Sequence, residues 1–180
     1  MSKEKKKEIC SMNKNSTIKY PESEVETLSI ATEYKKFLKL KGLPGDAAPF
    51  LSFGSTPRGT WLIAVSEHWG LPKSFSRYRI IGTTGTGDPI CIDELENGVV
   101  VYLNHDRNFE KVIMNSSVLH LSESLLVYRC FVEKTIRENG PDAYLNDDIP
   151  EHLKKWINAE LKRIDKSAMD EGCFWPSYTR

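Results

Sequence analysis

Asp88, Asp93, Glu94, Glu96 and Asp106 crowd into one stretch of the chain, with His105 beside the last of them. An imidazole held by a carboxylate is the minimum for general-base catalysis, so His105 with Asp88, Asp93 or Asp106 defines the small hydrolase this sequence could encode. That set lacks a group to activate. Adjacent side chains such as His105 and Asp106 usually diverge, and no serine or cysteine nearby stands in a nucleophile motif. As metal ligands the acids lack the DxDxDG-type frame of a calcium loop. The remaining use of such a cluster is electrostatic, either as a solvated rim or as a surface that speeds capture of a basic protein.

The other chemical signals are weaker. Gly82–Asp88 reads GTTGTGD, but a phosphate cradle ends at a helix N-terminus, and here a strand-like Pro89–Asp93 follows with no GK[ST] lysine. It reads as a hairpin loop. Cys10, Cys91, Cys130 and Cys173 lie far apart with no CxxC, and His68, His105, His120 and His152 do not complete a zinc knuckle. Structural thiols, no metal and no cofactor are expected. Trp61 and Trp156 sit on apolar patterns and belong to a core, whereas Trp69 and Trp175 fall in loops, which makes Trp69 the candidate aromatic anchor for a partner.

The elements that must position these residues follow from periodicity. Ile30, Tyr34, Phe37 and Leu38 form one face of a helix over residues 29–41, with Ser29 as N-cap and Gly42, Leu43 and Pro44 as a stop signal. Short apolar runs then alternate with turn residues, giving strands at Pro49–Phe53, Trp61–Val65, Tyr78–Gly82, Pro89–Asp93, Val99–Leu103 and Lys111–Met114. Asn97 and Gly98 suit the tight turn between two of them. Two helices close the domain, over residues 117–139 and 150–166, the second with Asp148 as N-cap and Glu151 in a capping-box position. The expected architecture is α+β: an N-terminal helix, a central antiparallel meander of five to six strands, and two C-terminal helices packed on the sheet.

Composition bounds the function. The 180 residues suit one domain, and 25 Lys and Arg against 25 Asp and Glu exclude the strongly basic balance of a non-specific nucleic-acid binder. No apolar run approaches the roughly 20 residues that span a bilayer, and MSKEKKKEIC opens no signal peptide, so a cytoplasmic protein with neither nucleic-acid nor membrane contact is expected. Charge is uneven: +4 over residues 1–19, −3 over 42–110 and −1 over 111–180. Residues 1–17 read as a disordered basic tail, 18–167 as the single domain, and the aromatic segment 168–180 as a tail that docks or frays.

The order of short strings resembles a known family. Lys41 to Pro44 closing the first helix, Ile80-Ile81-Gly82, Gly87 through Asp93, Asn97 to Val100, and Met114 to Val118 ahead of a Leu-rich helix are similar to the core of the fourth subgroup of the SUKH superfamily, the Smi/Knr-like immunity proteins, over residues 27–165. The resemblance implies an α+β domain without catalytic residues that binds and neutralises a cognate bacterial toxin. An acidic middle segment would suit a basic toxin such as a nuclease, with Asp88, Asp93, Glu94, Glu96, Asp106 and Trp69 as the contact set. An adaptor module holding several protein partners is the second reading, and the His105 hydrolase the third.

Overall fold

The computed structural model describes residues 17–179, so the basic run Lys3–Lys7 and the rest of residues 1–16 lie outside the described residues. In chain order the elements are β1 (Thr17–Ile18), α1 (Glu22–Glu26), α2 (Thr32–Leu40), β2 (Leu43–Pro44), β3 (Asp46–Ala47), β4 (Leu51–Phe53), α3 (Val65–Trp69), β5 (Tyr78–Thr84), β6 (Pro89–Asp93), β7 (Val99–Asn104), β8 (Glu110–Asn115), α4 (Val118–Asn139) and α5 (Glu151–Ile164). β1 pairs with β2, and β3 to β8 form one antiparallel sheet in sequence order.

Side-chain alternation gives this sheet two apolar faces. Ile80, Cys91, Val101 and Ile113 are register partners across four strands and share one face. Ile81, Ile90, Ile92, Val100 and Met114 project to the other, where Leu121, Leu125, Leu153, Ile157 and Leu161 of α4 and α5 cover them. Burial on both faces explains why β6 reads as an unbroken apolar run ending in an acid. The mixed α+β architecture with an antiparallel sheet agrees with the sequence expectation, while several element boundaries differ.

Trp61–Val65 is not a strand. Its pairing reduces to one bridge, Ala64 with Arg79, because β4 and the Gly54 N–H, which donates to the Ile81 carbonyl, take the rest of that edge of β5. The chain turns instead into α3, which lays Val65 on the second face of the sheet with Leu71 and Phe75 beside it. α2 starts later than expected, with Ala31 at its N-cap and no side-chain bond there; the Ser29 N–H donates to Glu94 Oε1 at 2.6 Å. Its stop matches the expectation. Gly42 has φ +71, and a Cβ there would meet the Ile18 carbonyl oxygen at 1.9 Å, so glycine is required where β1 crosses. Asp148 does not cap α5, whose N-cap is Pro150; it accepts from Asn139 Nδ2 through its carbonyl at 3.0 Å and its carboxylate at 3.1 Å, tying the end of α4 to the loop.

The C-terminal segment docks. Trp175 is fully buried and donates from Nε1 to Asn115 Oδ1 at 3.0 Å, while the Phe174 N–H donates to the Ile113 carbonyl at 2.9 Å and covers the outer edge of β8. Beneath it, Asp165 accepts from the Ser116 N–H at 2.7 Å and Asn115 Nδ2 at 3.1 Å. Burial works to raise the Asp165 carboxyl, and these bonds outweigh it and hold the group below its ordinary range. Cys91, Cys130 and Cys173 are buried free thiols. Among the described residues no helix is long and apolar enough to cross a membrane.

Candidate functional site

The acids that are neighbours in sequence are separated in space, because an antiparallel meander sends successive turns to opposite ends of the sheet. Asp88 precedes β6 and Asp93 ends it, five residues and roughly 16 Å apart at about 3.3 Å per residue. Asp88 and Asp106 therefore lie at one end, with the 48–50, 85–88 and 105–109 turns. Asp93, Glu94 and Glu96 lie at the other.

At the second end every acid is held by the chain itself. Arg77 ends the short turn Lys73–Arg77 that crosses the second face of the sheet, which aims its guanidinium at the end of β6: Nε donates to Asp93 Oδ1 at 2.6 Å and Nη2 to Oδ2 at 2.7 Å. Asp93 is completely buried and also accepts the Leu95 N–H at 3.1 Å. The expectation of an exposed acid there is corrected: a carboxylate this deep persists because a bidentate arginine and a backbone donor replace its water. Its presence beside Arg77 raises the guanidinium's already high pKa. Glu94 accepts the Ser29 N–H and faces Arg79 at 3.9 Å, so it is mostly covered too. Glu96 binds Lys111 Nζ at 2.7 Å and Arg77 at 3.2 Å, and the lysine holds its carboxyl below the ordinary range.

The opposite end is built differently. Asp88 is 6% exposed rather than open. Its Oδ1 accepts the His105 N–H at 2.9 Å and meets His105 Nδ1 at 2.7 Å, and its Oδ2 accepts from Thr86 at 2.7 Å and Thr84 at 3.2 Å. Burial pushes this carboxyl up, and the donors outweigh burial and hold it low. Asp88 thus clamps two neighbouring turns together. The His105–Asp88 pair has the spacing of a base with its orienter, but the free edge of the ring, Nε2, faces Asp106 Oδ1 at 3.4 Å rather than a hydroxyl or thiol. Among the described residues no group of three or more His, Cys, Asp or Glu is arranged to hold a metal ion.

Trp69 ends α3 rather than lying in a loop. It stacks on the His105 ring with centroids 5.9 Å apart and meets Phe109 edge-on at 5.3 Å, yet 41% of it stays exposed. With Asp106, whose side chain is 83% exposed, it is what remains accessible at this end of the sequence-predicted contact set. Phe50, expected within a strand over Pro49–Phe53, lies before β4, and with Leu145, which no sequence signal marks, it lines one groove beside the 48–50 turn, the two being 66% and 68% exposed. The signal was present in Pro49 and Phe50, where a proline interrupts the strand pattern and leaves the aromatic outside the ladder.

Over residues 11–180 the sequence matches the family described as SUKH-4 immunity protein. The chain belongs to the SUKH-4 immunity protein family. The match runs past the strings from Lys41 to Val118 on which the resemblance rested, and takes in the docked segment around Trp175. No curated protein and no solved structure matches the chain. In this SUKH-4 protein, then, the paired end of the sheet is committed to the fold, and the end bearing Phe50, Trp69 and Asp106 offers uncommitted aromatic and acidic groups.

Proposed function

We propose that this protein is a non-catalytic immunity protein that acts in the cytoplasm and neutralises a cognate toxin domain by stoichiometric binding. The observation that carries the reading is the family match over nearly the whole chain. The site supports it physically. His105 and Asp88 are engaged in holding turns, and the accessible groups at that end are aromatic and acidic, a combination that suits an anchor with electrostatic steering rather than turnover. A basic toxin, such as a nuclease, is the partner that the acidic central segment would attract fastest. Trp69 and Asp106 belong to the contact surface. Asp88, Asp93 and Glu94 serve it only by holding the turns, and Glu96, paired with Lys111 and Arg77 at the far end, adds little to the steering field.

Co-expression with the protein encoded beside this gene is the test. Cells should survive the toxin only when this chain is present, and the two proteins should co-purify in a one-to-one complex. A neighbour that is not toxic, or protection without a complex, sinks the proposal.

A further inference from the structure

A groove of about 560 Å³ opens at the same end of the sheet, lined by Pro49, Phe50, Leu51, Gly85, Tyr144 and Leu145. Phe50 and Leu145 are large apolar side chains left mostly in water, and they face the same concavity. Gly85 is what admits Phe50 here, since a Cβ at that position would stand 3.0 Å from the Phe50 Cβ. Phe50 itself has φ +59, a conformation unfavourable for an aromatic residue.

The segments that line the groove carry Asp but no Lys or Arg. Asp46 lines it, and the loop that supplies Tyr144 and Leu145 also carries Asp142, Asp147 and Asp148, all exposed. Residues 42–57 and 140–149 contain no lysine or arginine. Lys154 Nζ, from α5, stands 3.6 Å from Asp147 Oδ1.

We infer that this groove is the anchor site for the toxin, and that its occupant is a basic segment that inserts one aliphatic or aromatic side chain between Phe50 and Leu145 while flanking Lys or Arg residues meet Asp46, Asp142, Asp147 and Asp148. The inference rests on the immunity reading and names the part of the surface, and the chemistry, through which it works. Charge selects this occupant over a second copy of the chain, because a two-fold contact through the groove would set the acidic rim against itself. Apolar burial in the groove sets the dissociation rate, and the rim raises the association rate.

The first probe is a short synthetic Lys/Leu peptide, with a Glu/Leu peptide as control, titrated into the full-length 15N-labelled protein. The Lys/Leu peptide should move the amide signals of residues 46–48, 50–52, 85 and 144–145 saturably, and the control should not. Phe50→Gly should weaken the peptide about tenfold or more without lowering the unfolding midpoint, since glycine adopts positive φ freely. Leu145→Lys, on an exposed loop, should weaken it as well. Equal response to both peptides, shifts centred elsewhere, or unchanged affinity in these variants overturns the inference. So does a groove already filled, seen as a dimer that dissociates on Phe50→Asp or as peptide binding only after residues 1–16 are removed. The second probe is the toxin domain: Phe50→Gly with Asp46→Lys should cost about thirtyfold in affinity. A toxin that binds wild type and double variant alike overturns the groove alone, whereas a toxin that wild type does not bind overturns the immunity reading.

Discussion

Both ends of the sheet carry acidic turns, and they treat those acids in opposite ways. At the Asp93 end, each acid has a cation or backbone N–H within the same chain, and the turn is made by Asn97 and Gly98, residues suited to positive φ. At the Asp88 end, phenylalanines occupy positive-φ positions at Phe50 and Phe109, and Phe50, Trp69 and Asp106 stay open to solvent. The Asp88 end also turns on Gly87 and Asn108, but it holds Phe50 at a costly positive φ with its ring in water, which nothing at the other end does. Acidic residues alone did not distinguish the two. What distinguishes them is that one end covers or pairs Asp93, Glu94 and Glu96, whereas the other, beside a clamped Asp88, leaves Asp106 and aromatic side chains in water.

The sharpest way to break this contrast is at Arg77. Replacing it with alanine leaves the fully buried Asp93 with the Leu95 N–H as its remaining donor. The expected loss is about 3 kcal/mol, the lower end for a stranded buried charge because the Arg77 side chain is itself a quarter exposed. Urea unfolding measures it, and Arg77→Met combined with Asp93→Asn should recover most of the loss, since no charge is then stranded. If Arg77→Ala proved nearly neutral, the closed end would be a solvated rim after all.

Asp88 gives an intermediate effect from the open end. Asp88→Asn weakens the acceptor of the His105 N–H and ring and of two threonine hydroxyls, a loss of about 1–2 kcal/mol. Because the folded-state carboxyl lies below the ordinary 3.8, its contribution is complete above that value and fades as pH falls through the folded one. The gap in unfolding midpoint between wild type and Asp88→Asn should thus be constant near neutrality and close in acid below about pH 4. A gap that persists unchanged into that range would mean that the carboxylate is not what clamps the turns.

The legible and illegible parts of the sequence divide along the same line. β6 and the long helix α4 are readable because a short apolar run bounded by turn residues, helical spacing and a Gly-Pro stop are local signals. Ser29 and Asp148 looked like caps, but each is drawn off by a distant partner, Glu94 and Asn139. Trp61–Val65 had the composition of a strand, and what denied it a ladder was the edge of β5 already taken by β4 and Gly54. The burial of Asp93 depends on Arg77 sixteen residues earlier, and the exposure of Phe50 depends on Gly85 and the 144–145 loop. None of those pairings leaves a local pattern. The candidate contact set could therefore be read by sign, whereas its division between two ends could not.

The smallest expected effect is also the finest test of the comparison, because it removes the same charge from each end. Asp106→Asn takes away an 83% exposed carboxylate that faces His105 Nε2 at 3.4 Å; Glu96→Gln takes away one that is bonded to Lys111 and Arg77. Net charge changes identically, so any difference between the variants reports on position alone. Glu96→Gln should cost under about 1 kcal/mol of stability, discounted for its 40% exposure, and leave association with the toxin domain almost unchanged, because its field is already cancelled by two cations. Asp106→Asn should leave stability unchanged and slow association roughly twofold at low ionic strength, an effect that added salt abolishes. Stopped-flow mixing at two salt concentrations measures both. Equal slowing by the two variants would mean that the toxin responds to net charge and that the open end has no privileged role; slowing by Asp106→Asn alone would tie capture to the turns that also carry Phe50 and Trp69.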